Sequence, residues 1–165
     1  MLRTVGVVVV GLTIIIAASV WLHAQSGASA LQGVWAVQSV SFPKPPVPPL
    51  NKPVGLILFS GRHYAVAGAD SSRPDFPQSV GADKATADQL RATWGSVVTE
   101  AGTFAVTGNT LKFTRMVSKG PAAMAPGNFI EQTFTVNGDT LVLTQVRNQA
   151  GPLANPATVR LTRAK

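Results

Sequence analysis

Leu31-Gln32-Gly33-Val34-Trp35 opens the first of about eight short alternating segments. From Leu31 to Phe42 the side chains alternate with the period of two that marks a half-buried strand, which puts Trp35, Val37, Ser39 and Ser41 on one face.

Upstream, Arg3 precedes an uncharged run from Thr4 to Leu22 that contains Val7-Val8-Val9-Val10 and Ile14-Ile15-Ile16. A short basic start, an apolar stretch and then small residues predict a secretory signal peptide over residues 1–24. Leu22-His23-Ala24 and Ala28-Ser29-Ala30 both offer small-residue cleavage sites; the expected cut follows Ala24, with Ala30 as second choice. Left uncut, about 20 apolar residues are long enough to span a bilayer, and the leader becomes an anchor. The expected destination is periplasmic or secreted. Removing the leader leaves 141 residues (25–165), enough for one domain with its own core. Cysteine is absent, so that domain relies on burial rather than disulfides.

Downstream, Pro43 to Pro53 carries six prolines, which fix the backbone near polyproline II and remove amide donors; a stiff loop is predicted. Gly55–Phe59 and His63–Ala67 read as a hairpin around Ser60-Gly61-Arg62. Asp70 to Asp83, with Pro74, Pro77 and Gly81, reads as loop. Thr86-Ala87-Asp88-Gln89 has the form of a capping box, and Ala87, Leu90, Trp94 and Val97 follow at helical spacing. One short amphipathic helix is expected there, plugging an end of the sheet or lying across its edge. Strand rhythm then resumes over Glu100–Val106, Thr110–Ser118, Phe129–Val136, Thr140–Arg147 and Ala157–Arg163. Hairpins with alternating faces favour an antiparallel meander, so the predicted fold class is all-β, an up-and-down barrel of about eight strands. Closing such a sheet removes its edges and leaves room for about one small ligand.

The pattern resembles the bacterial lipocalin-like domain family, a branch of the calycin barrels. The matching pieces are Leu31-Gln32-Gly33-Val34-Trp35 with Ser39, Gly55-Leu56-Ile57-Leu58 with Gly61-Arg62-His63-Tyr64, and the helix Thr86 to Trp94. Ala101-Gly102-Thr103-Phe104, Gly138-Asp139-Thr140-Leu141-Val142-Leu143 and Leu161-Thr162-Arg163 complete the set, in the family's order. The family's last strand often carries Trp where this chain has Leu161. The resemblance implies a lipocalin-like barrel over residues 25–165, with Trp35 beneath the barrel, Arg163 across its indole and Gly33 beside them, a structural group rather than a binding site. A guanidinium over an indole face gains about 0.5–2 kcal/mol.

The charge balance is +7, scattered from Lys44 to Lys165 without a run. Nucleic-acid binding normally clusters its Lys and Arg on one element, so no nucleic-acid partner is expected; contact with an anionic membrane surface stays open. After the leader one histidine remains, His63, and HExxH, CxxC and clustered-Asp spacings are absent; no metal and no cofactor are expected. If His63 points out, parity turns Tyr64 inward. The carboxylates Asp70, Asp75, Asp83, Asp88, Glu131 and Asp139 fall on the surface or in turns, and Glu100 at a helix-to-strand junction, so no acid/base pair is expected. No Gly-x-Ser-x-Gly elbow occurs, and no catalytic residue is assigned.

The sharper expectation is an interior pocket. Leu111, Phe113, Arg115 and Val117 share a strand face. An inward Arg115 needs a carboxylate, carbonyls, water or an anionic ligand head such as that of a fatty acid; an Arg115 at a strand end would snorkel to solvent instead. Tyr64, Phe113, Arg115, Phe134 and Leu143 are the candidate lining with Leu141, and Trp94 the candidate cap. The expected activity is non-catalytic binding of a small apolar or amphiphilic molecule. The alternatives are a calycin-barrel enzyme acting on a lipid-like substrate, and a filled barrel that binds a protein partner.

Overall fold

The computed structural model describes residues 27–44, 53–71, 84–95 and 97–165. The expected leader (1–24) and most of the two expected loops, after Pro43 and after Asp70, lie outside the described residues. A helical turn, α1 (27–31), leads into β1 (Gly33–Ser41), β2 (Pro53–Ser60) and β3 (His63–Asp70). The helix α2 (Ala87–Gly95) follows, then β4 (Val98–Thr107), β5 (Thr110–Ser118), a 3-10 turn (Pro121–Met124) and β6 (Ile130–Asn137). β7 (Thr140–Asn148), the two-residue β8 (Gly151–Pro152) and β9 (Thr158–Arg163) complete the chain.

Each of β1 to β7 pairs antiparallel with its successor, β7 also pairs with β9, and β9 returns to β1. The eight long strands therefore form a closed antiparallel barrel, as the strand rhythm predicts, and β8 is an extra piece beside β7. Closure leaves none of the eight strands as an open sheet edge, although the β1–β2 and β5–β6 ladders each pair over only four residues. Three hairpins turn through two residues, each led by glycine: Gly61, Gly108 and Gly138.

Inward residues follow the period of two. Leu31, Trp35, Phe59, Phe104, Leu111, Leu141 and Leu161 form a buried core near one end. Trp35 is fully buried and pairs in register with Arg163 of β9, so the first strand and the last close the ring. Leu161 is also fully buried.

Two expectations are corrected. The helix is nine residues long, ending before Val97, and none of its residues is buried, so it plugs neither end of the barrel. Its start is as predicted: the Gln89 amide donates to Thr86 Oγ1 (3.2 Å) and the Thr86 amide to Gln89 Oε1 (2.9 Å). Its end is held from the residue after β5, where Lys119 Nζ donates to the carbonyls of Trp94 (2.6 Å), Gly95 (3.1 Å) and Val97 (2.8 Å). A lysine there suits the partial negative charge of a helix C-terminus. The second correction concerns strand parity. β1 is bulged between Val37 and Ser39, so Ser39 and Ser41 leave the face of Trp35, and Val40 and Phe42 reach the interior.

Candidate functional site

The interior is filled at the Trp35 end and hollow at the other. Arg163 lies over the Trp35 ring, 4.1 Å from its centroid, and donates to the carbonyls of Gln32 (2.8 Å) and Ala30 (3.1 Å). The indole donates to Leu31 O at 2.7 Å. Gly33 has φ 109°, and a Cβ there would stand 3.2 Å from Arg163 Nη1; glycine gives the guanidinium its room.

Above this end four rings form a floor. Phe59 meets Phe104 edge to face at 5.2 Å between centroids, and Tyr64 meets Phe113 likewise at 4.6 Å. Beyond the rings opens a cavity of about 400 Å³. Its walls are largely aliphatic, with Val37, Ile57, Val66, Leu143 and Val159 among them. Four polar side chains interrupt those walls: Glu100, Arg115, Gln132 and Gln145.

Arg115 points inward, and its counter-charge is internal. Its Nε donates to Glu100 Oε2 at 2.5 Å, with the two side chains only 13 % and 20 % exposed. Tyr64 Oη donates to Glu100 Oε1 at 3.3 Å, so the carboxylate joins the floor to the arginine. Burial first, and then the negative charge of Glu100, push the Tyr64 hydroxyl above its ordinary 10.0, with Arg115 working in the opposite direction. The phenol is therefore a protonated donor at neutral pH. Gln132 and Gln145 stand opposite one another across β6 and β7. Gln132 Oε1 is buried without a hydrogen-bond partner among the described residues. An acceptor left in that state costs about 1–3 kcal/mol.

Bulges place these groups. β4 and β5 slip between Ala101 and Gly102, so that Gly102 faces Arg115 while Met116 is skipped. At Gly102 the backbones nearly touch: a Cβ would lie 2.0 Å from Thr114 O, which only glycine avoids. Parity changes beyond this point, and Val117 is 63 % exposed rather than sharing the face of Leu111, Phe113 and Arg115. A third slip, between Glu131 and Gln132 against β7, lies beside the two glutamines. All three slips fall in the hollow half, where extra residues bend the strands and increase their twist.

The predicted site residues separate accordingly. Leu143 and Arg115 line the cavity. Tyr64 and Phe113 are buried in its floor. Phe134 packs at the filled end, where its ring edge is 3.2 Å from the Cβ position of Gly27, because it lies two residues along β6 from the cavity-lining Gln132. Trp94 is 57 % exposed and lines a surface cleft with Leu90, Arg91 and Lys119 rather than the cavity, since the helix lays no side chain into the barrel. His63 is exposed.

Glu100, Gln132 and Gln145 are the site residues that sequence reasoning missed. Parity could have found them: Phe104 inward implies Glu100 inward four residues earlier, Phe134 implies Gln132, and Leu143 implies Gln145. Glu100 had been placed at a junction, where no partner for it was evident; two residues into β4 it becomes the partner of Arg115. Among the described residues, no cluster of three His, Cys, Asp or Glu side chains is arranged to hold a metal ion.

No family model and no curated protein matches the chain. Among solved structures it is similar to the fluorescent protein UnaG in its wild-type form, at 12 % identity and a TM-score of 0.39, over 83 % of this chain and 99 % of that one. A point mutant of UnaG is similar at 11 % identity and a TM-score of 0.37, over 83 % and 98 %. The closed eight-stranded meander described above has, by its own topology, the form of a calycin-type barrel.

Proposed function

We propose that the protein is an exported, lipocalin-like carrier or sensor that holds a small, mostly apolar molecule in the hollow half of its barrel without transforming it. One observation carries the reading: a cavity of about 400 Å³, with aliphatic walls and four polar side chains, inside a closed barrel. Small-molecule sites are apolar concavities of about 300–1,000 Å³ with a few fixed polar groups. A barrel packed throughout, the form suited to a protein-interaction module, would resemble the Trp35 end along its whole length. Export rests on the leader pattern, and the cut after Ala24 is favoured over Ala30 because it keeps α1, whose Ala30 carbonyl accepts from Arg163.

Organic extraction of the purified protein followed by mass spectrometry should release a lipid-like compound. The neutral dye Nile red should bind and become fluorescent, and Val66→Phe, which fills the cavity from β3, should abolish that signal while the far-ultraviolet circular dichroism is unchanged. Equal dye binding by Val66→Phe would defeat the reading. The mass of the protein recovered from a periplasmic extract should begin at Gln25; a full-length mass in the membrane fraction would make the leader an anchor.

A further inference from the structure

We infer that the molecule held in this cavity is electrically neutral and presents an O–H or N–H donor to Gln132 Oε1. The inference rests on the preceding reading of the cavity and gives its ligand a chemical class.

Glu100 and Arg115 are the charged side chains that line the cavity, and they are bonded to one another. The site is thus close to neutral before any ligand enters. A fatty-acid carboxylate would bring a second negative charge beside Glu100. Sharing Arg115 through its Nη groups would set two carboxylates against one mostly buried guanidinium, and taking it outright would displace Glu100 and leave that carboxylate without its counter-charge, either arrangement costlier than the intact pair. Tyr64 cannot relieve this by serving the ligand, since its hydroxyl is committed to Glu100 Oε1.

Hydrogen-bonding capacity suited to a neutral group lies on the adjoining wall, where β6 pairs with β5 and β7 with β6. Gln132 Oε1 is enclosed and accepts no hydrogen bond among the described residues, and Gln145, directly across the ladder, adds a second amide with both donors and an acceptor. A hydroxyl or primary amide at one end of an aliphatic body meets those groups while the body covers Val37, Val66 and Val159. An alkane would leave the acceptor unsatisfied. An anion would have the wrong sign for Glu100 and no proton for Gln132.

Three probes of one chain length separate the outcomes: decanoic acid, decanol and decanamide, each competing with Nile red at neutral pH. Decanol and decanamide should displace the dye from the wild-type protein at concentrations at least about tenfold below those of the acid. Glu100→Gln should reverse that order, because it frees Arg115 to take a carboxylate. Should Glu100→Gln fail to fold, the double variant Glu100→Gln with Arg115→Met removes both charges and should keep the neutral preference. Gln132→Leu should weaken decanol and decanamide about tenfold and raise the unfolding temperature of the ligand-free protein, since an unsatisfied acceptor is gone. If the acid competes as well as or better than the neutral probes, or Gln132→Leu leaves their affinity unchanged, the inference falls while the binding reading stands. If neither Nile red nor any of the three probes binds, both fall together.

Discussion

The half of the barrel around Trp35 and the half around Arg115 are made from the same eight strands, yet they solve opposite problems. Around Trp35 the ladders run in register, large side chains meet, and a charged group, Arg163, is held by an indole face and two backbone carbonyls. Around Arg115 three ladders slip, valines replace rings on much of the wall, and the charged group is held by a carboxylate. The first half stabilises by burial of apolar area and dispersion contacts. The second gives up part of that packing to keep a cavity. A bulge is a way to do so without breaking the ring, because one extra residue widens a turn of the sheet while the flanking hydrogen bonds persist.

The contrast can be broken at either end. The largest effect is expected from Trp35→Ala, which empties the filled half and removes the ring under Arg163. Denaturant unfolding should show a loss of about 3–5 kcal/mol. Gly102→Ala attacks the seam between the halves. Its methyl group meets Thr114 O, so β4 and β5 must separate where Arg115 is aimed; a loss of about 3 kcal/mol is expected, together with loss of Nile red binding.

Next comes a dependence on pH. Tyr64 is the one tyrosine in the chain, so tyrosinate absorbance reports it alone. Its folded-state pKa lies above 10.0, so the unfolded chain releases the proton first as pH rises. Its contribution is therefore complete below pH 10.0 and declines as pH climbs beyond that value. Stability should fall with alkalinity, tyrosinate should form only with unfolding, and Tyr64→Phe should flatten the slope. Tyrosinate absorbance rising near pH 10.0 in the folded protein would show an open phenol and a loosened floor.

Two further substitutions test how densely each half is packed. Leu111→Ala, in the filled half, should cost about 2–5 kcal/mol, whereas Val66→Ala, facing space already present, should cost about 1 kcal/mol or less. Equal costs would mean that both halves are packed alike. Trp94→Ala should change stability by less than about 0.5 kcal/mol, since the indole stands outside the barrel.

Much of the ladder was legible in the chain. The pairs Thr107–Thr110 and Asn137–Thr140 follow from a glycine-led turn between alternating runs, and the capping box at Thr86 follows from spacing. The interior of the filled half was legible for the same reason: unbroken alternation carries Leu111 and Phe113 to one side. The hollow half was legible only in part, at Arg115 and Leu143. A bulge leaves no reliable mark in composition, so Ser39 and Val117 were assigned to faces that a single extra residue had reversed. The helix misled in another way, because Leu90 and Trp94 at helical spacing suggest a buried face where the helix lies outside the core.

The local pattern is a period: apolar residues at every second position, interrupted by glycine turns, make antiparallel hairpins with one face to bury, and closing the sheet buries that face without leaving an edge. What the tertiary structure alone decided was who meets whom inside. Glu100 and Arg115 are 15 residues apart and on different strands, and only the slipped register of β4 against β5 brings them together. Contact between side chains on paired strands depends on the register of their ladder, bulges included, a quantity that neither strand contains by itself.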